Sequence, residues 1–123
     1  MTTTVFSMGP SREVHDINVT TTNGRRCIID IYKVNGGFET EVTIFEPAQN
    51  NTLGQIYTTN PMSASTTDHF ESAIDLIKNY MSKKDPQDSI IDIHNPCNTP
   101  FINEADQNNI LSKKGLTLTV RVN

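Results

Sequence analysis

Residues 13–45 read EVHDINVTTTNGRRCIIDIYKVNGGFETEVTIF. Three runs rich in β-branched residues are separated by Asn23-Gly24 and by Asn35-Gly36-Gly37. Asn-Gly between such runs is a hairpin signal, because its backbone tolerates the positive φ of a tight turn. The pattern predicts strands over 13–21, 26–34 and 38–45. A two-residue turn at Asn23-Gly24 would set Asn18 against Ile29, polar on apolar. One more loop residue, with Gly24 left-handed in a bulge, sets Val19 against Ile29 and Ile17 against Ile31. That register keeps one face apolar and is the expected one. A two-residue turn at Asn35-Gly36 then puts Val42 opposite Ile29 and Ile44 opposite Cys27. The other face, with Asp30, Glu39 and Glu41, reads as solvated.

Beyond this meander, a short strand is expected over 55–59, bounded by Pro47 and by Asn60-Pro61. Phe70, Ala73, Ile74, Ile77, Tyr80 and Met81 recur at helical spacing and predict a long helix starting at Ser65 or Thr66. Pro86 stops it. A strand is expected over 89–93. A short polar helix over 104–113 is capped by Asn103 and closed by Gly115. Residues 116–122 alternate strictly, Leu116, Leu118, Val120 and Val122 against Thr117, Thr119 and Arg121, and read as a last strand. The expected fold is α+β: an antiparallel sheet of about six strands carrying one long and one short helix, as a single domain over 1–123.

Composition narrows the function classes. The net charge is -4, with 14 acidic and 10 basic residues, so the basic footprint of a nucleic-acid binder is missing. Sixteen Thr and 13 Asn make the polar surface largely uncharged. No run approaches the apolar length of a membrane span, and the first residues lack the pattern of a signal peptide. Cytoplasmic residence is the expectation, with Cys27 and Cys97 reduced.

Chemistry-bearing patterns are sparse. His94 and Cys97 suggest a nucleophile and base, a weak-hydrolase reading, but no orienting third group stands near them in sequence. Zinc-ligand pairs and a Walker-type loop are absent from the sequence, so no cofactor is implied. His15 and His69 read as surface or cap-region residues, and Arg25 and Arg26 as surface charges flanking a turn. The loop Asn95-Pro96-Cys97-Asn98-Thr99-Pro100-Phe101 suits a small-ligand rim. The amides of Asn95 and Asn98 both donate and accept, the Thr99 hydroxyl does likewise, and the Phe101 ring can stack. Arg121 stands among Thr residues on its strand face, and its guanidinium fork suits phosphate.

Three segments carry a family resemblance: Asn23-Gly24-Arg25-Arg26-Cys27-Ile28-Ile29-Asp30, the loop from Asn95 to Phe101, and Leu118-Thr119-Val120-Arg121-Val122-Asn123. With this length and order the chain resembles the first described family of phage Thoeris anti-defence proteins. The resemblance implies a sponge rather than an enzyme. Such a protein binds a cyclic ADP-ribose isomer made by host TIR-domain proteins and hides it in the host bacterial cytoplasm. It further implies an antiparallel sheet with helices, assembled as a homodimer or higher homo-oligomer. Arg121 and the loop residues Asn95, Asn98, Thr99 and Phe101 are the expected ligand contacts. The competing reading is a protein-interaction domain with no nucleotide ligand.

Overall fold

A computed structural model describes residues 14–47, 54–59, 61, 65–96 and 102–123. The elements are β1 (Val14–Thr21), β2 (Arg26–Val34), β3 (Gly37–Phe45), β4 (Gln55–Thr59), α1 (Thr66–Lys84), β5 (Ile90–His94) and α2 (Glu104–Lys113). The strands form one antiparallel sheet in the order β4-β3-β2-β1-β5. The α+β class is as expected, with five strands rather than about six. No helix among the described residues is long and apolar enough to cross a membrane.

The second hairpin has the expected register, with Ile29 against Val42 and Cys27 against Ile44. The first differs by two residues: Ile17 faces Ile29 and Val19 faces Cys27. Its loop does contain three residues with Gly24 left-handed at φ 92°. The extra residue, however, is Thr22 and not Arg25. The Gly24 N–H donates to the Thr21 carbonyl at 3.1 Å, and the Thr21 N–H donates to the Arg25 carbonyl at 3.0 Å. Arg25 is drawn out of the loop because its own N–H donates to Thr21 Oγ1 at 3.0 Å and its side chain is buried. A shift of two residues leaves every side chain on its original face, so the apolar face survives the correction.

That face holds Ile17, Val19, Cys27, Ile29, Ile31, Val42, Ile44 and Ile93. Against it α1 lays Phe70, Ala73, Ile74, Ile77 and Met81, all buried. Each large side chain so buried contributes about 1.5–3 kcal/mol. Ser65 caps the helix, its Oγ accepting from the Thr67 and Asp68 N–H groups at 3.1 and 3.4 Å. His69, expected near the surface, is buried instead, with Nδ1 2.6 Å from Thr40 Oγ1 and its ring edge-on to Phe38. The apolar stripe of α1 is wide enough to carry this neighbour of Phe70 inward. Burial pushes the Cys27 thiol up to about 12, which makes it a packing group rather than a nucleophile.

Residues 116–122 correct the reading of a sixth strand. Their burial alternates as expected, with Leu116, Leu118, Val120 and Val122 turned inward. Their backbone makes one bridge only, Arg121 parallel to His94. The Arg121 N–H donates to Ile93 at 2.8 Å, and the Asn95 N–H donates to Arg121 at 2.9 Å. The Val120 N–H donates to Asn108 Oδ1 at 2.8 Å instead of to a strand. Period two fixes which face is buried but names no backbone partner.

The solvent side of the sheet carries a row expected to be merely hydrated. Asp16 lies opposite Asp30, and Asp30 opposite Glu41. The Tyr32 hydroxyl donates to Glu41. Burial, a hydrogen bond with Asp16 and the charges of Asp16 and Glu41 push the Asp30 carboxyl up to about 7. Asp30 thus binds its proton more tightly folded than unfolded. The stability this contributes is full below the usual Asp pKa, near 4, and is lost as pH rises through about 7. Since Asp30 is partly exposed, solvent screening leaves about 1–2 kcal/mol. Asp30→Asn should therefore raise the melting temperature at pH 8 and change it little at pH 4. Equal melting of variant and parent at pH 8 would show that Asp30 ionises freely.

Candidate functional site

A cavity of about 500 Å³ opens between β4 and α1. Ser72, Asp75, Leu76, Asn79, Tyr80 and Lys83 project into it from α1, spaced three and four apart and so on one face, offset from the buried stripe. Tyr57 and Thr59, two apart, reach it from β4. The Tyr57 and Tyr80 rings meet edge to face, centroids 5.8 Å apart at 63°. With half-buried Leu76 they form the apolar part of the wall. The rim is polar. Thr59 and Ser72 hydroxyls bond to each other, and the Tyr57 hydroxyl donates to Gln55 Oε1 at 2.6 Å. Asp75 accepts from Lys114 Nζ at 3.0 Å. Lys83 and Asn79 are exposed, and they offer an ammonium and an amide to whatever enters.

Behind Tyr80 lies the most highly charged part of the interior. The Arg25 side chain, 9 % exposed, grips Glu46 with two bonds: Nε to Oε2 at 2.9 Å and Nη2 to Oε1 at 2.9 Å. Its Nη1 reaches Asp85 at 3.1 Å and Asp88 at 2.8 Å. Its guanidinium carbon lies 5.9 Å from the Tyr80 ring centre, and the Tyr80 hydroxyl donates to Glu46. Arg25 is therefore no surface charge. It ties the first hairpin, the end of β3 and the exit of α1 together. Burial opposes ionisation of Glu46 and Asp88, yet both are held below the usual carboxylate range. For Glu46 the bonds from Arg25 and Tyr80 do this. For Asp88 they come from the Asn23 N–H, Thr21, Arg25 and the Ser89 N–H. Asn23 and Arg25 lower Asp85 likewise. Burial and the bond to Glu46 push the Tyr80 hydroxyl up to about 12.

Of the expected ligand residues the structure describes Asn95 and Arg121, and neither lines this groove. Asn95 is fully buried, its Nδ2 donating to Gln107 Oε1 at 2.9 Å, and it joins β5 to α2. Arg121 is 54 % exposed, and its fork is engaged by Asp92, Nε to Oδ1 at 3.2 Å and Nη2 to Oδ2 at 3.0 Å. A phosphate would have to displace Asp92 to use it. Arg121→Ala should shift the melting temperature only slightly, since exposed ion pairs contribute little; a large drop would mark the bridge to His94 as dependent on that side chain. Asn98, Thr99 and Phe101 lie outside the described residues, as does Cys97. β5, beside Arg121, and β4, beside the cavity, are opposite edges of the sheet, four strand spacings or about 19 Å apart.

Sequence reasoning missed Tyr57, Tyr80 and Lys83. Tyr80 falls within the apolar stripe by spacing, and Lys83 stands in the last turn of α1, where a basic residue is already accounted for by the helix end. Their signal was a second, polar-aromatic stripe on α1 facing a strand with Tyr57 at its centre. Among the described residues no group of three or more His, Cys, Asp or Glu is arranged to hold a metal. No family model, curated protein or solved structure matches the chain.

Proposed function

We propose that this chain is a binding protein that takes a small nucleotide signal into the β4–α1 groove and hides it, breaking no bond. The Tyr57–Tyr80 pair beside Leu76, rimmed by hydroxyls, an amide, one ammonium and the Asp75 carboxylate that Lys114 neutralises, carries this reading. A volume near 500 Å³ suits a ligand of that size, and a wall that sets two aromatic rings and Leu76 among five polar side chains offers a nucleotide both a stacking surface and hydrogen-bond partners. The resemblance to the Thoeris anti-defence family makes a cyclic ADP-ribose isomer the first ligand to test, and its removal from a host bacterium the consequence. Adenine rests against the tyrosines, ribose hydroxyls meet Asn79 and the Ser72–Thr59 pair, and the pyrophosphate meets Lys83. A useful sponge binds in the nanomolar range, about -12 kcal/mol.

The test is to load the protein with a cyclic ADP-ribose isomer, wash, release by heat and weigh what comes off. Intact nucleotide is the expected result. A hydrolysed product would make the chain an enzyme, and no uptake would remove the nucleotide. Lys83→Ala should weaken binding roughly tenfold or more, as the loss of a charge-assisted contact at the rim. Unchanged calorimetric affinity would take Lys83 out of the site.

One observation favours the protein-interaction reading. β4 is an edge strand whose sequence, Gln55-Ile56-Tyr57-Thr58-Thr59, has no charge or proline to guard it, and Ile56 is 64 % exposed. Failure to take up nucleotide together with a saturable protein contact at β4 would select that reading. Homo-oligomerisation is proposed through the same edge, and light scattering at micromolar concentration decides it: a monomer removes it.

A further inference from the structure

Tyr80 belongs to two systems at once. One side of its ring lines the groove and meets Tyr57. Its hydroxyl donates to Glu46, which is not a groove residue. Glu46 in turn is held by two bonds from Arg25, and Arg25 is fixed from its far side by Asp88, whose side chain is fully buried, and by Asp85. Asp85 is the C-cap of α1 and Asp88 lies three residues beyond it, and α1 is the helix that carries six of the groove's eight residues. The first hairpin bonds the same two aspartates: Asn23 N–H to Asp88 at 2.9 Å, Asn23 Nδ2 to Asp85 at 2.8 Å, and Thr21 Oγ1 to Asp88 at 2.8 Å.

We propose that Arg25 is a positioning residue for the groove: through Glu46 it fixes the Tyr80 ring, and with it the wall against which the ligand rests. This depends on the reading that the groove binds a ligand. An aromatic side chain at the groove wall has two rotatable bonds. Unless something outside the groove holds it, ordering it on binding costs affinity. A tyrosine hydroxyl anchored to a carboxylate removes that cost in advance. The carboxylate itself must not wander, and a bidentate guanidinium prevents that, because its planar fork matches both oxygens. The position of the turn is what brings Arg25 there, since the loop is 22–24 and a loop over 23–25 would hold Arg25 at the tip.

The positioning role separates from mere folding through Glu46→Gln and Tyr80→Phe. Gln keeps the shape of Glu46, and Phe keeps the ring of Tyr80. The groups facing Tyr80 are Glu46, Arg25 and Tyr57, with Lys84 acting on Glu46. Two measurements are made on the intact chain. Tyrosine absorbance titration, with Tyr57→Phe and Tyr32→Phe backgrounds to assign it, should show Tyr80 titrating near 12 in the parent and closer to 10 in Glu46→Gln. Calorimetry with a cyclic ADP-ribose isomer should show each variant binding about tenfold more weakly than the parent. The double variant should be no weaker than either single one, because both break the same link. Arg25→Lys should fall between parent and Glu46→Gln, since it keeps the charge and loses the fork. Additive losses, parent-like affinity in Glu46→Gln, or an unmoved Tyr80 titration would overturn the proposal. Failure of the parent to bind any cyclic ADP-ribose isomer is a different result. It ends the nucleotide reading, and the proposal is then judged on Tyr80 alone: nuclear Overhauser contacts between the Tyr57 and Tyr80 rings should disappear in Glu46→Gln, and their persistence overturns it.

Discussion

Arg25→Ala should remove a large part of the fold's stability. It leaves Asp88, whose side chain is fully buried, and Asp85 without their guanidinium partner, and Glu46 with only the more distant charge of Lys84. Removing one partner of a buried ion pair typically costs about 3–5 kcal/mol, because the remaining charge cannot return to water. A domain of this size is stable by only about 5–15 kcal/mol, so the variant is at the edge of unfolding. The direction with pH identifies the cause. In the parent the three carboxylates are held below their usual range, so their stability is present at neutral pH and is lost as pH falls through their folded values. In Arg25→Ala that relation inverts, since protonation relieves the uncompensated charge. Urea unfolding at pH 7 and pH 4 should show the deficit of the variant shrinking in acid. A deficit independent of pH would mean that packing of the Arg25 stem, and not its charge, is what the fold uses.

Ile74→Asp should go further still, and it tests the helix rather than the clamp. Ile74 is fully buried at the centre of the α1 stripe, facing the sheet. Truncating such a residue to alanine costs about 2–5 kcal/mol. A carboxylate there adds the cost of burying a charge with no partner, so the variant should show no cooperative melting transition by circular dichroism. Ile74→Val, which removes one methylene, should cost about 0.5–1.5 kcal/mol and retain a sharp transition. An Ile74→Asp protein that melts like the parent would show that this face of α1 is not packed on the sheet.

Periodicity and turn chemistry carried most of the fold. The alternation of Ile17, Val19, Ile29, Ile31, Val42 and Ile44, the Asn-Gly turns, the Ser65 and Asn103 caps and the Pro86 stop are all local features, legible without partners. What stayed hidden was long range. Whether 116–122 joins the sheet depends on which backbone lies beside it, and Asn108 takes the Val120 N–H that a neighbouring strand would have used. Arg25 looked like a turn charge because its three carboxylates are 21, 60 and 63 residues away. The same holds for the groove, whose walls come from β4 and α1 and whose anchor comes from the hairpin. Asn95 and Arg121 stood out by residue type, but type does not reveal that each already has a partner, Gln107 and Asp92.

The single parallel bridge at Arg121 makes the two margins of the sheet unlike. β5 is bridged at His94 by Arg121 and carries the Arg121–Asp92 charges, while β4 offers an unguarded ladder among the described residues. A particle with two open margins stacks without limit, as fibres do. With one open margin it can join only its like, face to like face, and the join uses up the sole site of growth. Among the described residues β4 is the more open margin, so pairing through it would join two copies about a twofold axis into a ten-stranded sheet with β5 at both outer ends.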